Sequence, residues 1–208
     1  MKRAPWFFRL NSIRRTLPII AIATALFCTP RLFAQESVFT LDPSKSSIEF
    51  TLGASLHTVH GTFKLKRGEI HFDPAKGTAT GAIVVDALSG ESGNEGRDKK
   101  MHQEILDSPK FSEIVFVPSR IQGTIAPQGT SHVTVSGVMK LHGQDHDMAL
   151  AFAVQPGTPG QAQAISKFSV PYVKWGLKNP STFLLRVTDS VDIDVHASGQ
   201  LTLAPPHP

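Results

Sequence analysis

The chain has 208 residues, of which 21 are Lys or Arg and 17 are Asp or Glu, so its formal charge is +4. Six of the basic residues precede Gln35, which leaves 15 basic against 17 acidic side chains in residues 35–208. The positive excess therefore belongs to the N-terminal segment, and neither a nucleic acid nor an anionic membrane is supported as a partner of the rest. The residues after Ala34 are enough for one domain that buries roughly 70% of its unfolded surface.

Residues 1–34 have the pattern of a secretory signal peptide. The apolar stretch from Leu17 to Phe27 is too short to span a bilayer and follows a basic start. Leu32-Phe33-Ala34 provides a cleavage point before Gln35. Arg14-Arg15 weakly resembles a twin-arginine signal, so general secretion is favoured and the twin-arginine route is the alternative. We expect a periplasmic protein whose domain spans residues 35–208.

Cys28 is the single cysteine and lies within this leader. Because the bulky Phe27 directly precedes it, we expect no lipoprotein cleavage site and no stable membrane anchor. Residues 35–208 then contain no cysteine, so packing rather than disulfides must stabilise the domain, which an oxidising compartment allows.

The first strands are predicted from the alternation of apolar and polar residues. Ile48, Phe50 and Leu52 alternate with polar residues, which is the period of a half-buried strand, and a loop is predicted over residues 53–60. Residues 60–74 then resemble a hairpin with its turn at Arg67-Gly68. A third long strand is predicted over residues 77–90, where small residues such as Gly81 indicate a bend or the close approach of another element.

A helix interrupts the strands after Ser92. Ser92 with Glu95 forms a capping-box pair, Asn94 is an alternative cap, and the apolar residues of the helix recur on one side at Met101, Ile105 and Leu106. The helix is expected to end at Asp107-Ser108-Pro109, because proline excludes the helical conformation from the residue before it. We favour a helix that plugs one end of a β structure over a functional role for Arg97-Asp98.

Strand-length segments fill the remainder of the chain, at residues 110–120, 119–129, 131–143, 144–154 and 161–173. The last strand has the clearest pattern, since Val191, Ile193, Val195 and Ala197 share one face and polar residues the other. About eight strands with one short α-helix predict an all-β fold, in which an antiparallel sheet closes into a barrel or folds into a sandwich.

No pattern typical of catalysis or metal binding occurs. The cluster from His142 to Asp147 is expected on a hairpin turn without converging ligands, and His57 and His60 on a loop. Asp192 and Asp194 are expected on the solvated face of the last strand. GxSxG, HExxH and a phosphate-binding glycine loop are absent from the sequence. The sequence therefore favours a binding protein over an enzyme, and we predict no metal and no cofactor.

Six segments combine into one pattern along the chain: residues 39–52, Val59 to Phe63, Gly68 to Pro74, Arg97-Asp98 with Met101, residues 105–116 and Gly137 to Gly143. Taken in order, they resemble the YceI family of lipocalin-like, polyisoprenoid-binding proteins. The first segment has an acidic-proline turn followed by a strand as in the family, and the later segments resemble the family's glycine-containing strands and its R-D-x-x-L helix.

The resemblance implies a lipocalin-like antiparallel barrel in the periplasm, with a helix near one end and a long isoprenoid chain inside. The head group of such a ligand would be quinone-like or a phosphate. Strand parity then selects the cavity wall as Phe50, Leu52, Phe63, Leu65, Ile83, Val85, Ile114, Phe116, Phe152, Phe168, Val191, Ile193 and Val195. The cavity mouth is expected at Trp175, Lys178 and Arg97.

A carrier or buffer of such a lipid is the favoured function, because each buried CH₂ is worth about 0.8 kcal/mol and a long chain needs few specific contacts. One alternative is an enzyme acting on an isoprenoid lipid, with Arg97, Asp98 or His102 inside the barrel. Another is a stress or surface-interaction protein with a packed interior. The oligomeric state is open, with a homodimer as one option.

Overall fold

The computed structural model describes residues 36–158 and 160–205. The predicted signal peptide and its cleavage point lie outside these residues and remain predictions. No helix in the described ranges is both long and apolar enough to cross a membrane.

Nine strands form one antiparallel sheet in this part of the chain. They are β1 (Ser37–Leu41), β2 (Ser47–Gly53), β3 (Thr58–Asp73), β4 (Thr78–Glu91), β5 (Glu113–Gln122), β6 (Ser131–Leu141), β7 (Gln144–Pro156), β8 (Gln161–Val170) and β9 (Val191–Thr202). Strands β2 to β9 pair in chain order, and β9 closes the ring by pairing with β2, for example Ile193 with Phe50. The predicted antiparallel barrel of about eight strands is confirmed.

Strand β1 occupies the same gap between β3 and β9 as β2 does, but at the other end of the barrel. It pairs with β3 at Phe39 and Ile70, and with β9 at Phe39 and Leu201. A single turn of 3₁₀-helix, Pro43–Lys45, connects β1 to β2 and is capped by the Asp42 side chain. The ring therefore has eight positions, one of them shared by two short strands.

The connections alternate between the two ends of the barrel because every neighbouring pair is antiparallel. One end, here called the rim end, carries the connections at residues 54–57, 92–112, 142–143 and 171–190. The opposite end carries residues 74–77, 123–130 and 157–160. Residues 42–46 join β1 to β2 partway along the wall, where the Asp42 N–H donates to the Ser198 carbonyl of β9. The interior near the opposite end is filled with buried side chains, including Phe72, Ile121, Val133, Val154 and Leu201.

The helix lies at the rim end. Helix α1 (Glu95–Lys100) continues into one turn of π-helix, Met101–Ile105. Asn94 caps it, since its side chain accepts a hydrogen bond from the Arg97 backbone N–H at 3.0 Å. The capping box predicted at Ser92 is therefore wrong, because the Ser92 hydroxyl and backbone N–H are both bonded to the Asp98 carboxylate instead.

The predicted hairpin turn at Arg67-Gly68 is also wrong, because β3 runs without interruption from Thr58 to Asp73. Its register against β4 shifts between Leu65 and Arg67, which is a bulge rather than a turn. The extra residue moves the interior-facing side chains from odd positions such as Leu65 to even ones such as Phe72, both of which are buried. Gly68 packs closely there, since a Cβ atom would lie 3.1 Å from the Leu41 side chain, which would have to shift by a few tenths of an ångström.

Two other predicted boundaries are corrected. The loop expected over residues 53–60 is shorter, because Thr58 to His60 already pair with β2. The strand expected over residues 119–129 ends at Gln122, and Gly123, with φ of 96°, turns the chain away from the sheet.

Candidate ligand-binding cavity

The rim half of the barrel encloses an apolar cavity of about 580 Å³. This volume lies within the roughly 300–1,000 Å³ range of small-molecule sites. The structure brings all thirteen predicted wall residues together on it: Phe50, Leu52, Phe63, Leu65, Ile83, Val85, Ile114, Phe116, Phe152, Phe168, Val191, Ile193 and Val195. That they contact a ligand remains a prediction.

Further apolar side chains complete the wall and were missed in the sequence. The helical segment contributes Met101, Ile105 and Leu106. The sequence predicts that these three share one side of the helix, but not that this side faces the cavity. Ile48, Val59, Met139, Leu141 and Leu150 come from strands. Parity alone identifies Ile48, which shares the face of Phe50, and Leu150, which shares that of Phe152.

Phe50 and Phe63 form an aromatic pair on the wall, with ring centroids 5.5 Å apart and planes tilted by 47°. Gly61 on β3 makes room for the Phe50 ring, since a Cβ at this position would lie 2.3 Å from Phe50 Cζ. A close backbone approach of this kind is a common reason for glycine inside a strand.

The polar groups on the cavity are concentrated at the rim end. Seven of the lining residues there are polar or charged: His57, Ser92, Asn94, Arg97, Lys100, Tyr172 and Thr182. Ser46, in the β1–β2 connection partway along the wall, is the polar lining residue outside the rim end, and its hydroxyl donates to the carbonyls of Asp42 and Ser198. The cavity thus has an apolar interior and one polar opening.

Arg97 gives this opening a positive charge. Its Nε donates to Ser92 Oγ at 2.6 Å and its terminal nitrogen to the Ser92 carbonyl at 2.8 Å. Lys100 reaches the Pro180 carbonyl at 3.4 Å, which links the helix to the β8–β9 connection. No Asp or Glu of the described residues lines the cavity. An anionic or electron-rich head group would therefore meet the cations of Arg97 and Lys100 in a lining that itself contains no carboxylate.

Tyr172 lies where β8 leads into its connection and also lines the cavity. Its side chain is buried, and the hydroxyl donates to the Thr188 carbonyl at 2.6 Å. Burial, together with the nearby Asp189 carboxylate, raises the pKa of Tyr172 to about 12. The phenol is therefore neutral at physiological pH and fixes the connection rather than adding charge to the cavity.

Two of the three residues predicted at the mouth do not line it. Trp175 stacks on His146, with ring centroids 4.1 Å apart and an interplanar angle of 3°. Lys178 donates to Glu104 Oε2 at 2.7 Å, and this hydrogen bond and charge hold the pKa of the Glu104 carboxyl below its usual value. Only Arg97 of the three lies on the cavity.

The groups considered for catalysis are occupied by structural bonds. The two ring nitrogens of His102 lie 2.8 Å from Ser108 Oγ and 2.8 Å from the Gly90 carbonyl. The Asp98 carboxylate is bonded to Ser92. Asp192 and Asp194 are bonded to Ser169 and Lys167 on the neighbouring strand. Within the described residues, no three His, Cys, Asp or Glu side chains are grouped so as to hold a metal ion.

A family model for the YceI-like domain matches residues 39–199. The chain belongs to this family. A UPF0312 protein of Pseudomonas syringae pv. syringae is 29% identical over 136 residues, which cover 63% of this chain and 68% of the relative. The resemblance to the YceI family drawn from the sequence is thereby confirmed.

Solved structures share the fold of this YceI-like barrel. BcnA of Burkholderia cenocepacia superimposes with a TM-score of 0.62 at 18% identity, covering 77% of this chain and 99% of BcnA. A polyisoprenoid binding domain from Saccharophagus degradans, implicated in plant cell wall breakdown, gives a TM-score of 0.58 at 16% identity, covering 80% and 98% of the two chains. Because these identities are low, the likeness establishes the barrel architecture alone.

Proposed function

We propose that this YceI-like protein binds a long isoprenoid chain, or another long apolar amphiphile, inside the barrel and acts as its carrier or buffer in the periplasm. The observation that carries the proposal is the shape and polarity of the cavity. It is apolar along its length, closed by packed side chains at one end and polar at the other. An amphiphile has the same division into a long apolar chain and one polar end.

The energetics favour recognition of the chain over recognition of the head. Burying a five-carbon isoprene unit contributes on the order of 3–4 kcal/mol before costs, since each CH₂ is worth about 0.8 kcal/mol. Association and the ordering of a flexible chain remove much of this gain. We therefore expect binding to depend on chain length, with a looser preference for the head group near Arg97 and Lys100.

The structural neighbour from Saccharophagus degradans supports a polyisoprenoid as the ligand, because that domain is described as polyisoprenoid binding and has the same barrel. A binding role also fits the engagement of Asp98 and His102 in structural hydrogen bonds.

Native mass spectrometry tests the proposal. The protein is purified from a bacterial periplasm without detergent, and bound material is extracted into organic solvent and identified. We expect a stoichiometric isoprenoid or similar long apolar molecule. An empty protein that also fails to take up added isoprenoids would rule out the carrier function, and the barrel would then serve a different function.

A further inference from the structure

Two connections at the rim end are joined to each other beside the cavity opening. Ala54 and Val187 form an isolated antiparallel bridge. Next to it, the Ser55 N–H donates to the Arg186 carbonyl at 2.9 Å, and the Arg186 N–H donates to Ser55 Oγ at 3.2 Å. This pairing brings Leu56 next to the segment that contains Phe183 and Leu184.

Phe183 and Leu184 lie at the tip of a tight turn that holds them away from the barrel. The Thr182 N–H donates to the Leu185 carbonyl at 2.8 Å, and the Leu185 N–H to Thr182 Oγ1 at 3.1 Å. Phe183 is 97% exposed, Leu184 82% and Leu56 78%. Of the large apolar side chains that are exposed in the described residues, Leu88 is the one outside this group. We call Leu56, Phe183 and Leu184 the apolar rim.

The apolar rim borders the cavity directly. Ala54 and His57, on either side of Leu56, line the cavity, as do Thr182 and Leu185 on either side of the turn tip. Isolated apolar residues on a surface need no explanation, but a cluster beside a binding site indicates an interaction surface.

The distribution of charge at this end favours an anionic partner. The rim-end connections carry seven Lys or Arg and five Asp or Glu, whereas the rest of the described chain carries eight and twelve. The rim end is thus net positive, whereas the rest of the described chain is net negative. Within the described residues, Lys99, Lys100 and Arg186 have no carboxylate within 4.0 Å, while Glu104 is paired with Lys178. Apolar side chains flanked by cations without a salt-bridge partner complement an anionic lipid surface.

We propose that the apolar rim inserts into the surface of an anionic phospholipid bilayer while Lys100 and Arg186 contact lipid phosphates, so that the cavity opens against the membrane. The use of this contact to exchange an isoprenoid between bilayer and barrel rests on the proposed function. Three apolar side chains with a few cations give a weak, reversible contact, which suits a carrier that must leave again. The slightly negative total charge of residues 35–208 conceals this local positive surface.

Vesicle flotation tests the contact, using protein purified from a bacterial periplasm and vesicles of equimolar phosphatidylethanolamine and phosphatidylglycerol, or of phosphatidylcholine alone. The double variant Phe183→Ser/Leu184→Ser should bind the anionic vesicles at least about tenfold more weakly than wild type, because it removes two inserting side chains. Arg186→Gln should weaken binding about fivefold on anionic vesicles and leave binding to phosphatidylcholine unchanged. The matched control, Leu88→Ser, removes an exposed leucine of β4 and should bind as wild type does.

The outcomes separate this proposal from the carrier function, which is measured independently by uptake of a detergent-dispersed isoprenol. A wild-type protein that takes up the isoprenol but does not bind anionic vesicles overturns the membrane contact alone. Equal vesicle binding by wild type and the double variant overturns it as well. If sedimentation shows a dimer that the double variant loses, the rim is covered by a second copy and the bilayer proposal fails. Vesicle binding that needs the rim in a protein without isoprenol uptake supports the contact and removes the carrier function.

Discussion

Phe116 and Val115 are neighbours on β5 with opposite surroundings. Phe116 is 4% exposed and lines the cavity, whereas Val115 does not line it. Phe116→Asp should abolish isoprenoid uptake, because a carboxylate facing an apolar chain is not compensated. Val115→Asp, at a half-buried position outside the cavity, is the matched control, and its uptake per folded molecule should equal that of wild type.

Because a buried charge also lowers stability, uptake by Phe116→Asp is measured against the folded fraction from circular dichroism. Phe116→Ser introduces no charge and should still weaken binding roughly tenfold or more, since a buried phenyl ring contributes about 1.5–3 kcal/mol. Uptake equal to wild type in both Phe116 variants would show that the ligand does not occupy this cavity.

Tyr172 is the single tyrosine of the chain, so its titration is directly observable. Its pKa is about 12 in the folded protein because of burial and the nearby Asp189, against roughly 10 in an unfolded chain. The unfolded state therefore loses this proton first. The stability that the neutral phenol contributes is complete below pH about 10 and is lost as the pH rises towards 12.

The tyrosinate absorbance of the folded protein should accordingly have its midpoint near pH 12. Tyr172→Phe should lose about 1 kcal/mol of unfolding free energy at neutral pH, through the missing bond to Thr188, and should show a flatter stability decline at alkaline pH. A midpoint near the value of a free tyrosine would contradict the burial of this side chain.

The alternation of side chains along the strands predicted the residues of the cavity wall better than those of the cavity opening. Alternating side chains such as Ile193 and Val195 have their orientation fixed by the period of two, and the thirteen predicted residues all lie on the cavity. Trp175 and Lys178 lie in a connection without such a period. Their positions depend on tertiary partners, His146 and Glu104, which no local pattern identifies.

At the scale of elements, His102 ties the helical segment to the barrel. It bridges the Gly90 carbonyl on β4 and the fully buried Ser108 hydroxyl. His102→Ala should lower the unfolding free energy by about 1–3 kcal/mol, since both groups lose their partner. Hydrogen exchange over residues 95–106 should speed up as well. Gln103→Ala, at an exposed neighbouring position, should change stability by less than about 0.5 kcal/mol, and equal effects of the two variants would contradict the bridging role.

Strand β3 shows why element boundaries were harder to predict than element types. Arg67-Gly68 between two apolar alternations has the pattern of a hairpin turn. In the barrel, however, β3 pairs with β4 on one side and with β2 and then β1 on the other, so a bulge is favoured over a turn. The sequence shows that the apolar residues change from odd to even positions along this stretch. Whether a turn or a bulge produces the change depends on long-range strand pairing.

At the scale of the whole domain, residues 36–158 and 160–205 form a barrel whose end opposite the rim, here called the base, is packed, and whose rim half is hollow. Phe72, Ile121, Val133 and Leu201 fill the base and supply buried apolar contacts, while the wall around the cavity leaves about 580 Å³ unfilled. The side chains that line such an apolar space lack van der Waals contacts, and a bound ligand can supply them. Ligand binding and folding stability should therefore be coupled, because a molecule that binds the folded state alone raises its stability.

A series of isoprenols of increasing length measures this coupling. Each added isoprene unit should lower the dissociation constant about tenfold or more and raise the melting temperature, as long as the new unit lies inside the barrel. Once the chain reaches the polar opening at Arg97, further units remain in solvent and both quantities should level off. Val115→Asp should retain this dependence of the dissociation constant on chain length, and Phe116→Asp should lose it. A dissociation constant independent of length from the shortest isoprenol onward would mean that the apolar chain does not enter the cavity.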